Sequence, residues 1–170
     1  GLLYEQGRGV QKDLSSALKW YTKSADLGNA SAQLNSAIML HHGRGTEKDI
    51  TSAIRWYTEA ANQGVETAQY NLGCLYYEGK NLANDDRGPT ENEALAVKWF
   101  TKAAEKGRAS AQLNLGIIFK NGANGVRDLG KSAQWLAMAA APKGDRDLER
   151  AAQTLLEQVR ALQKDDQKGA

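Results

Sequence analysis

The stretch Ala17–Gly28, ALKWYTKSADLG, recurs three times along the chain. It returns as AIRWYTEAANQG at Ala53–Gly64, as AVKWFTKAAEKG at Ala96–Gly107 and, in degraded form, as AQWLAMAAAPKG at Ala133–Gly144. A catalytic motif needs to occur only once, whereas a phrase that returns at a fixed interval is typical of a structural repeat. The repeat therefore decides the fold.

A second phrase alternates with the first. It reads ASAQLNSAIMLHHG from Ala30, ETAQYNLGCLYYEG from Glu66 and ASAQLNLGIIFKNG from Ala109. Each unit thus consists of two helical phrases separated by joints that contain glycine. Gly116 within the last copy leaves room for a neighbouring helix to approach closely. Two alternating helical phrases at a constant period predict a solenoid of stacked helix pairs.

Helix ends are also marked in the sequence. Gly64 and Gly107 stand where a second helix must end, because glycine readily adopts the left-handed stop conformation. Asp13 and Asp49 precede second helices and are predicted to cap their free N–H groups. Each tryptophan shares a helical face with small residues, which predicts that all four tryptophans lie in the core.

Composition limits the class of protein. The 170 residues are 41% hydrophobic and 25% charged, which suits a folded chain, and 22 Lys and Arg against 20 Asp and Glu give a net charge of +2. That balance argues against nucleic acid or an anionic membrane as the main partner. No apolar run approaches the ~18–20 residues of a membrane span. Two prolines and no strand-like alternation favour an all-α fold.

On these phrases the chain resembles the Sel-1-like repeat family, which is related to the tetratricopeptide repeats. The matching motifs are A-x-A-Q-x-N-L-G, the G-x-G joint, the aspartate before the second helix and A-x-x-W-[YF]-x-x-A-A-x-x-G. The resemblance implies an all-α, right-handed α/α superhelical solenoid with a C-terminal capping helix. It also implies a non-catalytic scaffold or adaptor that assembles protein complexes, often in bacteria and sometimes at the envelope or at a host.

The repeats are expected to span residues 1–144. They divide into the ranges 1–29, 30–65, 66–108 and 109–144. Gly1 aligns with Gly73, so we expect the chain to begin inside a first helix and to be a monomeric module of a longer protein. Residues 80–90 form an insertion in the third repeat and are predicted to be a surface loop.

The C-terminal part departs from the repeat. Residues 145–163 predict one amphipathic helix, with apolar positions at helical spacing, that caps the end of the stack. Residues 164–170 are predicted to be a mobile tail.

Candidate binding residues lie on the first helices. By resemblance to the tetratricopeptide pattern, the inner surface is lined by their second, fifth, sixth, ninth, twelfth and thirteenth residues. Three asparagines share one of these positions, and their amides could hydrogen-bond the backbone of an extended peptide or could tie each helix to the next repeat. The sequence leaves both interpretations open. The predicted concave groove comprises Asn35, His42, Tyr70, Asn71, Tyr77, Asn114 and Lys120.

Other chemistry finds little support. His41 and His42 are adjacent, and adjacent helical side chains point about 100° apart, which is unsuited to gripping one metal ion. A thiol–imidazole pair of Cys74 and His42 would lack a third orienting group. We therefore predict no catalytic site, no metal and no cofactor.

The predicted partner is a protein or peptide segment, with no nucleic acid and no direct membrane insertion. The alternative is a carbohydrate-binding module for cell-wall or exopolysaccharide glycans that uses Tyr70, Tyr77 and the asparagines. A bacterial envelope, periplasmic or cytoplasmic location is left open.

Overall fold

The predicted all-α fold is confirmed. The computed structural model describes residues 1–79, 89–122, 127–142 and 144–168, and these residues form nine helices without a strand. The helices are α1 Leu2–Gln6, α2 Leu14–Asp26, α3 Ala30–His42, α4 Ile50–Asn62, α5 Glu66–Glu78, α6 Pro89–Glu105, α7 Ala109–Asn121, α8 Leu129–Ala140 and α9 Arg146–Lys168. The chain divides into two compact units, Gly1–Asp86 with α1 to α5 and Arg87–Ala170 with α6 to α9.

Aspartates begin the second helices, as predicted. The Asp13 carboxylate accepts hydrogen bonds from the backbone N–H groups of Ser15 at 2.9 Å and Ser16 at 3.1 Å. The Asp49 carboxylate accepts one from the backbone N–H of Ser52 at 2.9 Å. Hydrogen bonds from Ser16 and Ser52 hold the pKa of Asp13 and Asp49, respectively, below 3.8. The free N–H groups of α2 and α4 are therefore satisfied by ionised side chains.

Glycines end the helices at the predicted positions. Gly64 follows α4 with φ 87° and Gly107 follows α6 with φ 93°. Both angles lie in the left-handed region, which an L side chain adopts only with strain.

Close helix packing depends on missing side chains. A Cβ atom at Gly116 would lie 2.5 Å from the side chain of Leu136, so the predicted close approach at Gly116 is confirmed. A Cβ atom at Gly45, in the joint after α3, would lie 2.5 Å from the backbone of Leu14 at the start of α2. The joint of the second repeat is therefore packed against the first repeat.

Buried glutamines connect successive repeats. Gln33, Gln69 and Gln112 occupy the same position of α3, α5 and α7. Each side-chain amide donates a hydrogen bond to the carbonyl oxygen eight residues earlier, in the last turn of the preceding helix, over 3.3, 3.1 and 2.9 Å. The same carbonyls also accept the backbone N–H of Gly28, Gly64 and Gly107, so each amide adds a second hydrogen bond at a helix C-terminus.

The prediction that all four tryptophans lie in the core is wrong for Trp20. Trp56 and Trp99 are buried and Trp135 is partly buried, but half of the Trp20 surface is exposed. Because the connection between a first and a second helix is short, the pair is antiparallel, and the second half of α4 lies beside the first half of α3. The first helix α1 is much shorter, and it corresponds only to the last five residues of α3. It cannot cover α2 in the same way.

Two boundaries differ from the prediction. Helix α9 continues beyond residue 163 to Lys168, through most of the predicted tail. Within this extension, Arg127 Nη2 lies 2.8 Å from Asp166 Oδ2 in an exposed ion pair. Of the predicted insertion, residues 80–88 lie outside the described residues, and α6 begins at Pro89, inside the range assigned to the loop.

Candidate protein-interaction face

The first helices bury one side and leave the other accessible. On α3, α5 and α7 the buried side shares four positions, and its fifth member on α5, Tyr76, lies one position later than Met39 on α3 and Ile118 on α7. Its members are Ala32, Gln33, Ser36, Ala37 and Met39 on α3, Ala68, Gln69, Leu72, Gly73 and Tyr76 on α5, and Ala111, Gln112, Leu115, Gly116 and Ile118 on α7. All seven side chains of the predicted groove lie on the other side and are exposed or partly exposed.

On α3, an amide and two imidazoles lie on this accessible side. Asn35 is partly exposed, and no hydrogen bond joins its side-chain amide to another described residue. His42 is exposed, and its ring stacks on His41 with centroids 4.5 Å apart, although adjacent positions point in different directions. His41 Nδ1 lies 3.4 Å from the hydroxyl of Tyr57, and burial lowers the pKa of His41. His41 is therefore partly structural, whereas Asn35 and His42 are available.

The amide of Asn71 ties two helices together. It lies on α5 and donates a hydrogen bond to the hydroxyl of Tyr57 on α4. Tyr57 is fully buried, and burial raises its pKa to about 12 although the bond from Asn71 acts in the opposite direction. At Asn71, the contact supports the interpretation that the asparagine joins one repeat to the next.

The equivalent tyrosine of the first repeat is satisfied differently. The Tyr21 hydroxyl donates to Glu5 Oε2 at 2.7 Å, and Glu5 Oε1 lies 2.9 Å from Arg44 Nη2. Burial and the bond to Glu5 raise the pKa of Tyr21 to about 12. Glu5 and His41 both occupy the twelfth position of a first helix. In both repeats the side chain at that position therefore lies within hydrogen-bonding distance of the tyrosine hydroxyl on the second helix.

Tyrosines provide most of the aromatic surface on α5. Tyr77 is 45% exposed, whereas Tyr70 is only partly exposed. Cys74 lies between them in sequence and is also partly exposed. Within the described part of the chain, no group of three or more His, Cys, Asp or Glu side chains is placed to hold a metal ion.

In unit 2, Asn114 lacks the hydrogen bond to a tyrosine that Asn71 makes. The residue at the position of Tyr57 is Phe100, which has no hydroxyl, and no hydrogen bond joins the Asn114 amide to another described residue. Lys120 is engaged by the capping helix, since its ammonium group donates to Gln158 Oε1 at 2.8 Å. Asn114 therefore resembles Asn35, whereas Lys120 is tied to α9.

Sequence reasoning missed two structural contributors. The glutamine of each A-Q dipeptide was not singled out, although its recurrence at one position and its place beside buried alanine were a usable signal. The hydroxyls of Tyr21 and Tyr57 were also missed, because only the fold shows which residues lie beneath the accessible side.

The repeat phrases match one known family along most of the chain. The profile of the Sel1 repeat matches residues 1–29, 30–65, 67–107 and 109–141. The chain belongs to the Sel1 repeat family. The resemblance predicted from its motifs is therefore confirmed, and Sel1 repeats generally serve as non-enzymatic scaffolds for protein interaction.

Solved Sel1 repeat structures share the fold. The structure of a Sel1 repeat protein from Oxalobacter formigenes matches with a TM-score of 0.76 at 33% identity, over 91% of this chain and 59% of that one. That of c5321, a protective antigen of uropathogenic Escherichia coli strains, matches with a TM-score of 0.73 at 30% identity, over 86% of this chain and 30% of the antigen. The chain thus spans less than two thirds of either protein.

No curated protein matches the sequence. Across the described residues, no helix is both long enough and apolar enough to cross a bilayer.

Proposed function

We propose that this Sel1 repeat chain is a non-catalytic module that binds a segment of a partner protein on the accessible side of α3 and α5. This surface, the first-helix face, comprises Asn35, His42, Tyr70, Asn71 and Tyr77. The observation that supports it most directly is an accessible polar and aromatic surface on helices whose opposite side is fixed in the core. Sel1 repeats generally mediate protein interactions.

The chemistry of the face suits a short uncharged segment. The Asn35 amide, which no other described residue hydrogen-bonds, offers two donors and one acceptor to a peptide backbone, and the exposed Tyr77 ring offers apolar area with a hydroxyl. Because the helices are held by core packing, little conformational freedom is lost on the receptor side when a partner binds. Asn114 offers the same amide chemistry on α7 of unit 2.

The glycan alternative has no comparable support. Sugar binding requires an open aromatic ring on which a pyranose can stack, and Tyr70 is partly buried. A single exposed tyrosine, Tyr77, is a common feature of protein-binding surfaces as well.

The test begins with capture of a partner by the full chain and identification of the bound protein by mass spectrometry. The segment that binds is then titrated calorimetrically against the parent chain and against the double variant Asn35→Ala, Tyr77→Ala. A neutral hydrogen bond contributes ~0.5–1.5 kcal/mol, so losing it together with the aromatic contact should weaken binding roughly tenfold or more. Glu59→Ala, an exposed change on α4, serves as the matched control and should bind as the parent does.

Asn71→Ala separates binding from stability. Loss of its bond to Tyr57 should lower the melting temperature. The affinity for the partner should fall only in proportion to the fraction of the chain that is unfolded. If the double variant folds normally and binds its partner with unchanged affinity, the first-helix face is not the binding site. Binding of the parent chain to a glycan array with loss in Tyr77→Ala would instead favour the carbohydrate alternative.

A further inference from the structure

The Tyr57 hydroxyl in unit 1 lies between two side chains of the accessible side. His41 Nδ1 is 3.4 Å from it, and the Asn71 amide donates a hydrogen bond to it. Tyr57 itself is 0% exposed, so its polar atom depends on protein partners. Three helices therefore meet at one hydroxyl: α3 through His41, α4 through Tyr57 and α5 through Asn71.

This hydroxyl determines where His41 carries its hydrogen. The Tyr57 oxygen accepts from Asn71, and a hydroxyl has one hydrogen of its own to donate. That hydrogen goes to His41 Nδ1, because buried polar groups are seldom left without a partner. His41 must then be neutral, with its ring hydrogen on Nε2. The order of donation runs from Asn71 through Tyr57 to His41.

Protonation of His41 is incompatible with this order. An imidazolium ring carries hydrogen on both nitrogens, so Nδ1 changes from an acceptor into a donor. The Tyr57 oxygen can accept from it, and the hydroxyl hydrogen must then turn toward Asn71. The Asn71 side chain can accept that hydrogen only if its amide turns over and directs Oδ1 inward. Asn71 is partly exposed, so its NH2 group then points to the accessible side.

The surroundings of His41 favour its neutral form. Burial lowers the pKa of His41, and the His42 ring stacked on it at 4.5 Å acts in the same direction. Glu78 on α5 raises that pKa, and Lys48 in the joint after α3 lowers it. Among the described residues no carboxylate bonds to His41, so the ring loses its charge before neutral pH is reached.

The remaining ionisable groups around the hydroxyl do not replace His41. Cys74 on α5 faces Tyr57 and raises the pKa of its hydroxyl. Toward α2, the Tyr21 hydroxyl donates to Glu5, which pairs with Arg44. His41 is therefore the titratable group that is coupled to Asn71 through Tyr57.

We infer that His41 is a proton switch for the first-helix face, which ties the Asn71 amide inward in neutral solution and turns its NH2 group outward in mild acid. The partner that gains is a segment whose backbone carbonyl groups face Asn71. Only this gain rests on the proposed function, because the switch is a property of the chain alone. Unit 2 lacks the switch, since Phe100 and Lys120 stand at the positions of Tyr57 and His41.

Nitrogen-15 NMR of the full chain tests the switch between about pH 8 and about pH 5, where histidines change charge. At the upper end, the His41 ring should carry its hydrogen on Nε2. On acidification, the side-chain amide signals of Asn71 should shift with the same midpoint as the ring signals of His41. A hydrogen on Nδ1 at the upper end, or Asn71 signals that stay constant while His41 titrates, would overturn the inference.

The adjacent histidines provide a matched pair of variants. His41→Gln keeps an acceptor for the Tyr57 hydroxyl but cannot be protonated, so the Asn71 signals should stop responding to pH. His42→Gln leaves the order of donation intact, and the response should persist. Tyr57→Phe removes the connecting hydroxyl and should also abolish the response. A response that survives both His41→Gln and Tyr57→Phe would contradict the proposed coupling.

Folding stability gives a second readout. The pKa of His41 is lowered on folding below 6.5, so its contribution to stability is complete above that pH and is lost as the pH falls through it. Thermal melts of the parent should therefore lose more stability on acidification than those of His41→Gln. Equal losses in the two chains would show that His41 is not held in the neutral form.

Binding of a partner segment tests the consequence. A segment that binds the parent near neutral pH should bind about two- to tenfold more tightly in mild acid, the gain from one neutral hydrogen bond. Asn71→Ala and His41→Gln should each abolish this gain, whereas His42→Gln should keep it. Unchanged affinity in a parent chain whose Asn71 signals do respond would overturn the regulatory role. If no segment binds at either pH, the proposed function fails, and the NMR titration still decides the switch.

Discussion

The first and second repeats carry almost the same phrase, yet they differ in what they bury. Trp56 and Met39 are enclosed, whereas Trp20 and Leu3, 36 residues earlier, are largely exposed. An aspartate caps the second helix in both repeats, Asp13 in the first and Asp49 in the second. Local features thus follow from the phrase itself, and burial follows from the neighbour. Paired substitutions at equivalent positions test this division.

The largest difference is expected at the tryptophans. Trp56→Ala should lower the free energy of unfolding by ~3–5 kcal/mol, because it leaves a cavity between packed helices. Trp20→Ala should lower it by about 1 kcal/mol or less, as for other exposed substitutions. Urea unfolding followed by circular dichroism measures both values. Equal losses would show that Trp20 is covered in solution.

A smaller difference is expected at the aliphatic pair. Met39→Ala should cost ~2–4 kcal/mol, since Met39 is enclosed on all sides. Leu3→Ala should be close to neutral, because the side chain is mostly in water already. The same unfolding experiment applies, and a large loss at Leu3 would contradict the exposure of its side chain.

Alanine substitutions at the joint glycines Gly9 and Gly45 should separate the cost of backbone strain from the cost of a steric collision. Gly9→Ala introduces only the cost of a left-handed alanine, about 1–2 kcal/mol. Gly45→Ala adds a collision with the Leu14 backbone, and overpacking of this kind costs a further ~1–3 kcal/mol. Thermal melts of the two variants should therefore differ, with Gly45→Ala the less stable. If both melt together, the joint of the second repeat moves without cost.

The caps should show no difference at all between repeats. Asp49→Ala should lower the free energy of unfolding by about 1 kcal/mol. Asp13→Ala should lower the melting temperature as much as Asp49→Ala does. The pKa of both carboxyls is lowered on folding, so their contribution is complete above the unfolded pKa. It should be lost as the pH falls below 3.8.

Asp49→Asn keeps the cap without its charge and is the control for that pH dependence. The stability difference between the parent and Asp49→Asn should therefore shrink in acid. A difference that stays constant from pH 7 to pH 2 would show that the charge of Asp49 does not contribute to the cap.

Much of the fold could be predicted because the same local sequence signals recur in several repeats. The caps, the glycine stops and the close approach at Gly116 each depend on residues near in sequence. The exposure of Trp20 could not be predicted from its own phrase, since it depends on what stands before it. The ion pair between Arg127 and Asp166 in the extension of α9 could not be predicted either, because the two residues meet only in the folded chain.

The candidate site was predictable in position but not in role. The spacing placed Asn35, Asn71 and Asn114 on one side of their helices. Whether each amide is occupied depends on the residue beneath it, which is Tyr57 for Asn71 and Phe100 for Asn114. A hydroxyl at the position of Tyr57 is not sufficient for the tie, since the equivalent Tyr21 hydroxyl bonds Glu5 and not Asn35.

The buried glutamines have a consequence for how the chain is made. Each of their bonds spans eight residues, so it can form as soon as the ribosome has released the following helix. Folding dominated by such nearby contacts is fast, because little chain entropy is lost in closing short loops. Successive junctions can therefore close in order during synthesis, without waiting for the C-terminal helix.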